Sequence, residues 1–186
     1  MKKIINLNLN EENQKDFEIE LNMLIEKFQK KEGFSFKGVG VDLGLPSGNI
    51  WAKVNVGATD KNMYGKMLTF EEAQKINFSD EWSMPSDKDF QELYDNCNHL
   101  WVTIGDVNGE LFISKKNGNY VFFPAAGFCS ITKLYNRGTD GYYWSSLLIS
   151  TVLASNLYFN SSSVEPHNRS YHHYEFSVRA VQHLKK

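Results

Sequence analysis

The sequence predicts an α+β fold with two short helices, a strand-rich second half and an N-terminal helix before them. Aromatic residues make up 14% of the 186-residue chain, and aromatic side chains favour strands. Short apolar segments alternate with turns rich in Gly, Asn and Pro, which is typical of β-structure. Two segments have the spacing of a helix capping box. Extended helical periodicity occurs near the N-terminus, over residues 11–31.

Composition excludes several classes of protein. The 20 basic and 22 acidic side chains give a net charge of −2, which is unfavourable for binding nucleic acid. The apolar runs are too short to span a bilayer, so we expect no membrane insertion. The two cysteines, Cys97 and Cys129, exclude a disulfide framework and a four-cysteine zinc site. No secretory signal opens the sequence, so we expect no export by the general route.

Residues 1–38 are predicted to form an N-terminal extension, and residues 39–186 the main domain. Residues 4–9 alternate like a strand, and a helix follows over residues 11–31 with an apolar seam of Phe17, Leu21, Leu24 and Phe28. This helix could pack on its own domain, or it could mediate homo-oligomerisation or docking to a larger assembly. The seam is too short for a stable coiled coil on its own.

The elements of the main domain are predicted from local signals. Residues 39–56 should form two strands around a turn at Pro46-Ser47-Gly48. Thr69 and Ser86 begin the two capping-box segments and should begin the short helices. Asn117-Gly118 predicts a β-hairpin, and residues 176–182 form a terminal strand.

Five ordered segments resemble the major paralogous (FISUMP) domain, a member of the C-type-lectin-like fold group. These segments are Val41-Asp-Leu-Gly-Leu-Pro-Ser-Gly48 with Trp51-Ala52 and Asn55-Val-Gly-Ala58, Trp82-Ser-Met-Pro-Ser86, Phe123-Pro-Ala-Ala-Gly127, Gly141-Tyr-Tyr-Trp-Ser-Ser146 and Phe176-Ser-Val-Arg-Ala-Val181. The match covers residues 39–183 in order.

This resemblance implies a compact α+β, C-type-lectin-like fold with two helices beside small twisted antiparallel sheets. The first and last strands are expected to pair, and Trp144 and the 176–181 strand to be scaffold. Two positions depart from the family pattern, with Ser83 in place of Arg and Glu175 in place of Gly. If that glycine has a positive φ in the family, Glu175 should be strained or its turn remodelled.

Ligand binding is predicted for a polar segment near the C-terminus. Residues 160–175 consist almost entirely of Asn, Ser, His, Tyr and Arg, a composition that is rare in cores and common in paratopes. A polar surface loop without a role is the alternative. The candidate ligand-binding residues are Asn156, Tyr158, Asn160, Ser162, His167, Asn168, Arg169, Ser170, Tyr171, His172, His173 and Tyr174.

The same segment resembles the variable region of proteins that are diversified by retroelements in phages and gut bacteria. Adenine-directed mutagenesis of Asn codons yields the residue types found at positions 168–174, and residues 147–152 and Asn156 could belong to the set. Glu165 and Glu175 are not reachable from such codons.

The resulting hypothesis is a non-enzymatic binding module that presents the surface of residues 147–175 to a cell-surface glycan or protein. A phage receptor-binding or fibre protein is attractive, which would place the chain in a virion, or otherwise in the cytoplasm. The alternatives are a purely structural decoration protein of a virion, or an oxidase like the formylglycine-generating enzymes.

Cofactor chemistry is not indicated, so we expect no catalytic residue, metal or cofactor. Glu165-Pro166-His167 is superficially similar to the calcium motif of lectins but lacks its partner motif. His172 and His173 are adjacent, so on an extended chain they point to opposite faces and cannot readily share a metal with His167. Cys97 and Cys129 are not at the positions that correspond to the active-site cysteines of the formylglycine-generating enzymes.

Overall fold

The computed structural model describes residues 40–78 and 82–183, all of which belong to the unit Gly38–Lys186. The predicted strand over residues 4–9 and helix over residues 11–31 lie outside the described residues. No helix in the described ranges is long and apolar enough to cross a membrane.

The protein is mostly β, so the predicted α+β, C-type-lectin-like fold class is wrong. Of the described residues, 48% are in strands or β-bridges and 11% in helices. Both helices are short, at 5 and 10 residues, and the sheets that surround them form most of the core. The capping boxes locate helix starts, but they carry no information on how far each helix extends.

The described elements are twelve strands and two helices. The strands are β1 (Gly40–Asp42), β2 (Ile50–Ala52), β3 (Trp82–Ser83), β4 (Cys97–Ile104), β5 (Val107–Ser114), β6 (Tyr120–Pro124), β7 (Phe128–Ser130), β8 (Lys133–Tyr135), β9 (Asp140–Leu148), β10 (Leu153–Asn160), β11 (Ser163–Tyr171) and β12 (Val181–Gln182). The helices are α1 (Phe70–Gln74) and α2 (Asp87–Asn96).

The described strands form four antiparallel sheets, with the strand orders β1-β2-β12-β3, β4-β5-β6, β11-β10-β9 and β7-β8. The expectation that the first and last strands pair is wrong, because β1 and β12 do not pair with each other. The last strand, β12, pairs with β2 at Val181↔Trp51 and with β3 at Val181↔Ser83, whereas β1 pairs with β2. Trp51 is therefore hydrogen-bonded within a central strand and is fully buried.

The predicted capping boxes are both confirmed. The Thr69 hydroxyl accepts from the Glu72 amide, and the Glu72 carboxylate accepts from the Thr69 amide at the start of α1. Ser86 and Asp89 make the same reciprocal pair at the start of α2. Each box satisfies amide groups that a helix start leaves without partners.

The predicted hairpin at Asn117-Gly118 joins β5 to β6. Gly118 has a φ of 74°, a conformation that glycine adopts without steric cost. The Asn117 and Asn119 side chains donate to the Asp42 carbonyl at 3.0 and 2.7 Å. This turn therefore also fixes the end of β1 against the β4-β5-β6 sheet.

The core contains the segments that were expected to be scaffold. Trp144, Phe176, Val178 and Val181 are at most 1% exposed, and the Trp144 and Phe176 rings stack at 4.1 Å. Of the two outcomes expected at Glu175, backbone strain is not found, because the described non-glycine residues with positive φ are Ile131 and Asn136. Glu175 instead exchanges two backbone hydrogen bonds with Cys129.

A fully buried guanidinium, that of Arg179, connects three of the sheets. It donates to the carbonyls of Ala52 and Phe122 at 3.0 and 2.8 Å, and to the Asn55 side-chain oxygen at 2.8 Å. Asn55 in turn donates to the hydroxyl of Tyr143 at 3.0 Å. These contacts reach β2, β6 and β9. Burial lowers the pKa of Arg179 to about 10, so the side chain remains charged at neutral pH.

Replacing this buried cation should be severely destabilising. Arg179→Met leaves the Asn55 oxygen and two buried carbonyls without their donor, so we expect the free energy of unfolding to fall by about 3–5 kcal/mol. Urea denaturation measures the change. Arg169→Met is the matched control, because Arg169 is exposed and its loss should change stability by about 0.5 kcal/mol or less. Equal effects of the two substitutions would contradict the role of Arg179.

Protonation of Asp89 at low pH should destabilise the start of α2. Burial raises the pKa of this carboxyl, but the Ser86 hydrogen bonds and His183, at 3.2 Å, outweigh burial, and the net pKa lies below the ordinary 3.8. A lowered folded-state pKa stabilises the protein above pH 3.8, and the contribution is lost as the pH falls through the folded value. Asp89→Asn should lower the free energy of unfolding by about 1–2 kcal/mol at pH 7. In this variant the free energy of unfolding should also fall less steeply below pH 4 than in the wild type. Denaturation at a series of pH values from 2 to 7 measures this difference. Identical pH dependence in the variant and the wild type would contradict the role of Asp89.

Candidate ligand-binding surface

The polar segment predicted to carry function is an edge strand followed by a turn. Residues 163–171 form β11, the outer strand of the β11-β10-β9 sheet, and residues 172–174 turn towards Phe176. Side chains alternate along β11, so that Glu165, His167, Arg169 and Tyr171 are exposed and their neighbours are half-buried.

The edge of β11 carries features that discourage pairing with another strand. Pro166 lies in the middle of the strand and has no amide hydrogen. The register shifts between Asn156 and Tyr158 of β10, which marks a β-bulge beside Pro166. Charged or titratable side chains flank the proline at Glu165 and His167. All three are known means of protecting a sheet edge.

The predicted ligand-binding residues do not form one patch. Tyr158, Asn160 and Ser162 lie at the closed end of the β10–β11 hairpin. The Asn160 side-chain oxygen accepts from the Ser162 and Ser163 amides at 2.8 and 2.9 Å, and its nitrogen donates to the Tyr158 hydroxyl. The length of β10 places Tyr158 roughly 17 Å and Asn160 roughly 23 Å from the open end. They stabilise the hairpin turn.

Asn156 cannot contact a ligand directly, because its side chain is fully buried. Its amide nitrogen donates to the Ser170 hydroxyl at 3.0 Å, and its oxygen accepts from Asn168 at 3.1 Å. The prediction of Asn156 as a surface residue is therefore wrong. The three side chains form a polar link between β10 and β11, with Asn168 and Ser170 half-buried.

His167 contacts helix α2 and does not join the other histidines. Its Nε2 lies 2.7 Å from the Gln91 side-chain oxygen, and its Nδ1 lies 3.3 Å from Asp87. Arg169, two residues further along β11, is exposed on the same face of the strand. His167 therefore positions the strand against the helix, while Arg169 faces solvent.

The remaining predicted residues meet a second segment at the open end of the sheet. We define the tip as residues 147–153 together with residues 171–174. Leu153 pairs with Tyr171, and the His172 amide donates to the Val152 carbonyl at 3.1 Å. The His172 ring donates to the Thr151 carbonyl at 2.9 Å. Two segments about twenty residues apart in sequence are thus joined into one surface.

A serine organises the β9–β10 turn within the tip. The Ser150 hydroxyl accepts from the Val152 and Leu153 amides at 3.3 and 3.1 Å. The Leu153 carbonyl accepts from the Ile149 and Ser150 amides at 2.9 and 3.0 Å. The backbone of the turn is therefore held by its own hydrogen bonds, and its apolar side chains are left free to face outward.

The tip exposes large apolar side chains. Between 37% and 51% of the surface of each is accessible to solvent, for Leu147, Leu148, Ile149, Val152 and Tyr171. Large apolar side chains that are exposed close together on a folded protein commonly mark an interaction site.

Aromatic rings continue from the tip across the neighbouring hairpin. Tyr171 stacks with His173 at 5.5 Å and meets Tyr174 edge-on at 5.8 Å. Tyr174 contacts Phe128 at 5.2 Å, and Phe128 stacks on Tyr135 at 5.1 Å. Tyr171 and Tyr135 are exposed and Tyr174 is half-buried. These contacts restrict the rings, so less side-chain entropy is lost when a ligand binds.

The cysteines are poor candidates for oxidase chemistry. Both thiols are free. Burial raises the pKa of Cys97 to about 12 and also raises the pKa of Cys129, with Glu175 adding to the latter effect. A thiol with a raised pKa is a weak nucleophile at neutral pH.

Within residues 40–78 and 82–183, no group of three or more His, Cys, Asp or Glu side chains could hold a metal ion. His172 donates to a carbonyl, whereas His173 stacks on Tyr171.

One family model, described as a domain of unknown function (DUF8237), matches residues 97–181. The matched range extends from the start of β4 to the first residue of β12 and includes the tip. No curated protein and no solved structure matches the chain. The resemblance to the FISUMP domain stays a prediction.

Residues 147–152 could belong to the variable set, but none of them is among the predicted ligand-binding residues, because that prediction is based on polar composition. The exposure of their large apolar side chains is evident from the structure alone.

Removing the buried amide beneath the tip should destabilise the protein without altering the exposed surface. Asn156→Ala leaves Ser170 and Asn168 short of a partner, so we expect a loss of about 1–3 kcal/mol in the free energy of unfolding. Ser162→Ala, at an exposed position of the same hairpin, is the control and should change stability by about 0.5 kcal/mol or less. Thermal denaturation compares the two, and a neutral Asn156→Ala would show that the link is dispensable.

Proposed function

We propose that the protein is a non-enzymatic binding module and that the tip is its ligand-contacting surface. The observation that carries this proposal is the convergence at the tip of exposed aliphatic and aromatic side chains on a hydrogen-bonded backbone. Aromatic anchors surrounded by smaller contacts are typical of binding hot spots. Tyr171 and His173 would supply rigid contact area, and Leu148 and Val152 would supply apolar area.

The scaffold supports this proposal because hydrogen bonds, and not core packing, organise the 149–153 turn of the tip, whereas Tyr174 packs against the core. The hydrogen bonds that organise residues 149–153 lie within the turn or to Tyr171 and His172. Side chains at Leu147, Leu148 and Val152 can therefore change without removing a buried contact. A binding surface that tolerates substitution is useful where the ligand varies.

We further propose that this protein is a variable protein of a retroelement, of phage or bacterial origin. The positions with residue types reachable from Asn codons, 147–152 and 168–174, largely coincide with the tip. Sequencing of the neighbouring DNA is the test. A reverse transcriptase gene and a near-copy of the 3′ coding segment are expected, and their absence would count against diversification.

Ligand binding through the tip can be measured on an array of bacterial surface proteins and on a glycan array. We expect the labelled protein to bind a discrete subset of spots, and the double variant Leu148→Ser/Tyr171→Ala to bind them at least about tenfold more weakly, because both residues contribute exposed contact area.

Lys88→Ala is the control for surface effects, because Lys88 is exposed on α2 and lies outside the tip. This variant should bind like the wild type. A tip variant that folds normally and keeps full binding would reject the tip as the contact surface.

A further inference from the structure

The β7–β8 hairpin contains an unusual turn. Two residues, Ile131 and Thr132, connect Ser130 to Lys133. Ile131 has a φ of 61°, and Thr132 is not among the described residues with positive φ. A two-residue turn with positive φ at its first central position is of type II′, where glycine is strongly preferred. A β-branched residue in this conformation is strained.

Burial of the Ile131 side chain does not compensate for this backbone strain. It is 89% exposed, the largest value among the exposed large hydrophobic side chains of the described residues. Neither the backbone conformation nor burial accounts for isoleucine at this position. Strained residues persist at binding sites, where a fixed geometry is useful.

The hairpin adjoins the tip. Cys129 of β7 exchanges two backbone hydrogen bonds with Glu175, at 3.0 and 2.9 Å, and the Phe128 ring contacts Tyr174. Nine large hydrophobic side chains are exposed in the described residues, and all except Met63 lie in the hairpin or the tip. The eight are Ile131, Leu134, Tyr135, Leu147, Leu148, Ile149, Val152 and Tyr171.

The turn of the hairpin is positively charged. Lys133 is the one charged side chain among residues 128–135, and the charges of Glu175 and Arg137 act in opposite directions on the pKa of Cys129. Lys133 lies 5.1 Å from the centre of the Tyr135 ring, beside the strained turn. A partner that complements this segment should therefore combine apolar surface with acidic groups.

We propose that the β7–β8 hairpin is the second half of the contact surface, and that Ile131 enters an apolar pocket with an acidic rim on a protein partner. This inference rests on the proposed function and names the class of ligand. A glycan offers no apolar pocket for an aliphatic side chain. A lipid surface would accept exposed apolar groups in any position, so it would not require one residue to be held by a strained backbone.

A naive yeast-displayed nanobody library is the probe, because its paratopes are folded protein surfaces. The full chain is the selection target. Clones that lose binding to Tyr171→Ala define a tip-directed set. Against this set, Ile131→Gly should weaken binding at least about tenfold, because it removes the apolar contact. The same substitution should raise the melting temperature by about 2–4 °C, because it relieves the turn.

Met63→Ser is the matched control, since Met63 is the one exposed large hydrophobic side chain of residues 40–78 and 82–183 that lies outside this surface, and this substitution should not change binding. Tip-directed clones that bind Ile131→Gly like the wild type would overturn the inference and leave the proposed function intact. A lower melting temperature for Ile131→Gly would also overturn it.

The absence of any tip-directed clone would reject the proposed function together with the inference. Cosedimentation with vesicles of phosphatidylcholine and phosphatidylserine tests the lipid alternative. Vesicle binding by the wild type that Ile131→Gly removes would overturn a protein partner in favour of a membrane.

Discussion

The fold depends on a fully buried charged group, the guanidinium of Arg179. Its three nitrogens donate to neutral acceptors in β2, in β6 and in the loop after β2, and its central carbon lies 4.6 Å from the centre of the Phe123 ring. Burying a cation is costly, so the arrangement depends on an acceptor for each of these nitrogens. Asn55 and Tyr143 extend the network to β9, where burial raises the pKa of the Tyr143 hydroxyl to about 12 and keeps it neutral. Three small sheets, none of which could bury its own apolar face, are thereby fixed in one arrangement.

That arrangement determines which part of the chain can vary. The β11-β10-β9 sheet is anchored at its centre by Trp144, Leu157 and Phe159, all fully buried. Beyond these residues the strands continue into the tip, where backbone hydrogen bonds and the Ser150 hydroxyl hold the 149–153 turn. The side chains of Leu148 and Val152 are therefore exposed on a supported backbone. Replacing exposed side chains of this kind should change stability little.

Local signals in the sequence predicted local structure well. The Ser86–Asp89 box and the Asn117-Gly118 turn involve residues within four positions, and the structure confirms both. Properties set by distant partners were not predictable. The pairing of β12 with β2, the burial of Asn156 and the predominance of β-structure depend on which segments meet in space. The exposed Leu147-Leu-Ile149 run and the strained Ile131 contradict ordinary preferences, and such exceptions are where function is expected.

Pro166 has a consequence for how copies of this protein can be crowded together. Unpaired amide and carbonyl groups along a sheet edge allow a strand of a neighbouring chain to add to the sheet. Exposed apolar side chains near such an edge increase the risk of fibril growth. Because the outermost strand has a proline at its midpoint and a bulge beside it, that route is interrupted. This edge of the sheet is therefore protected against strand addition even where many copies of the chain lie close together.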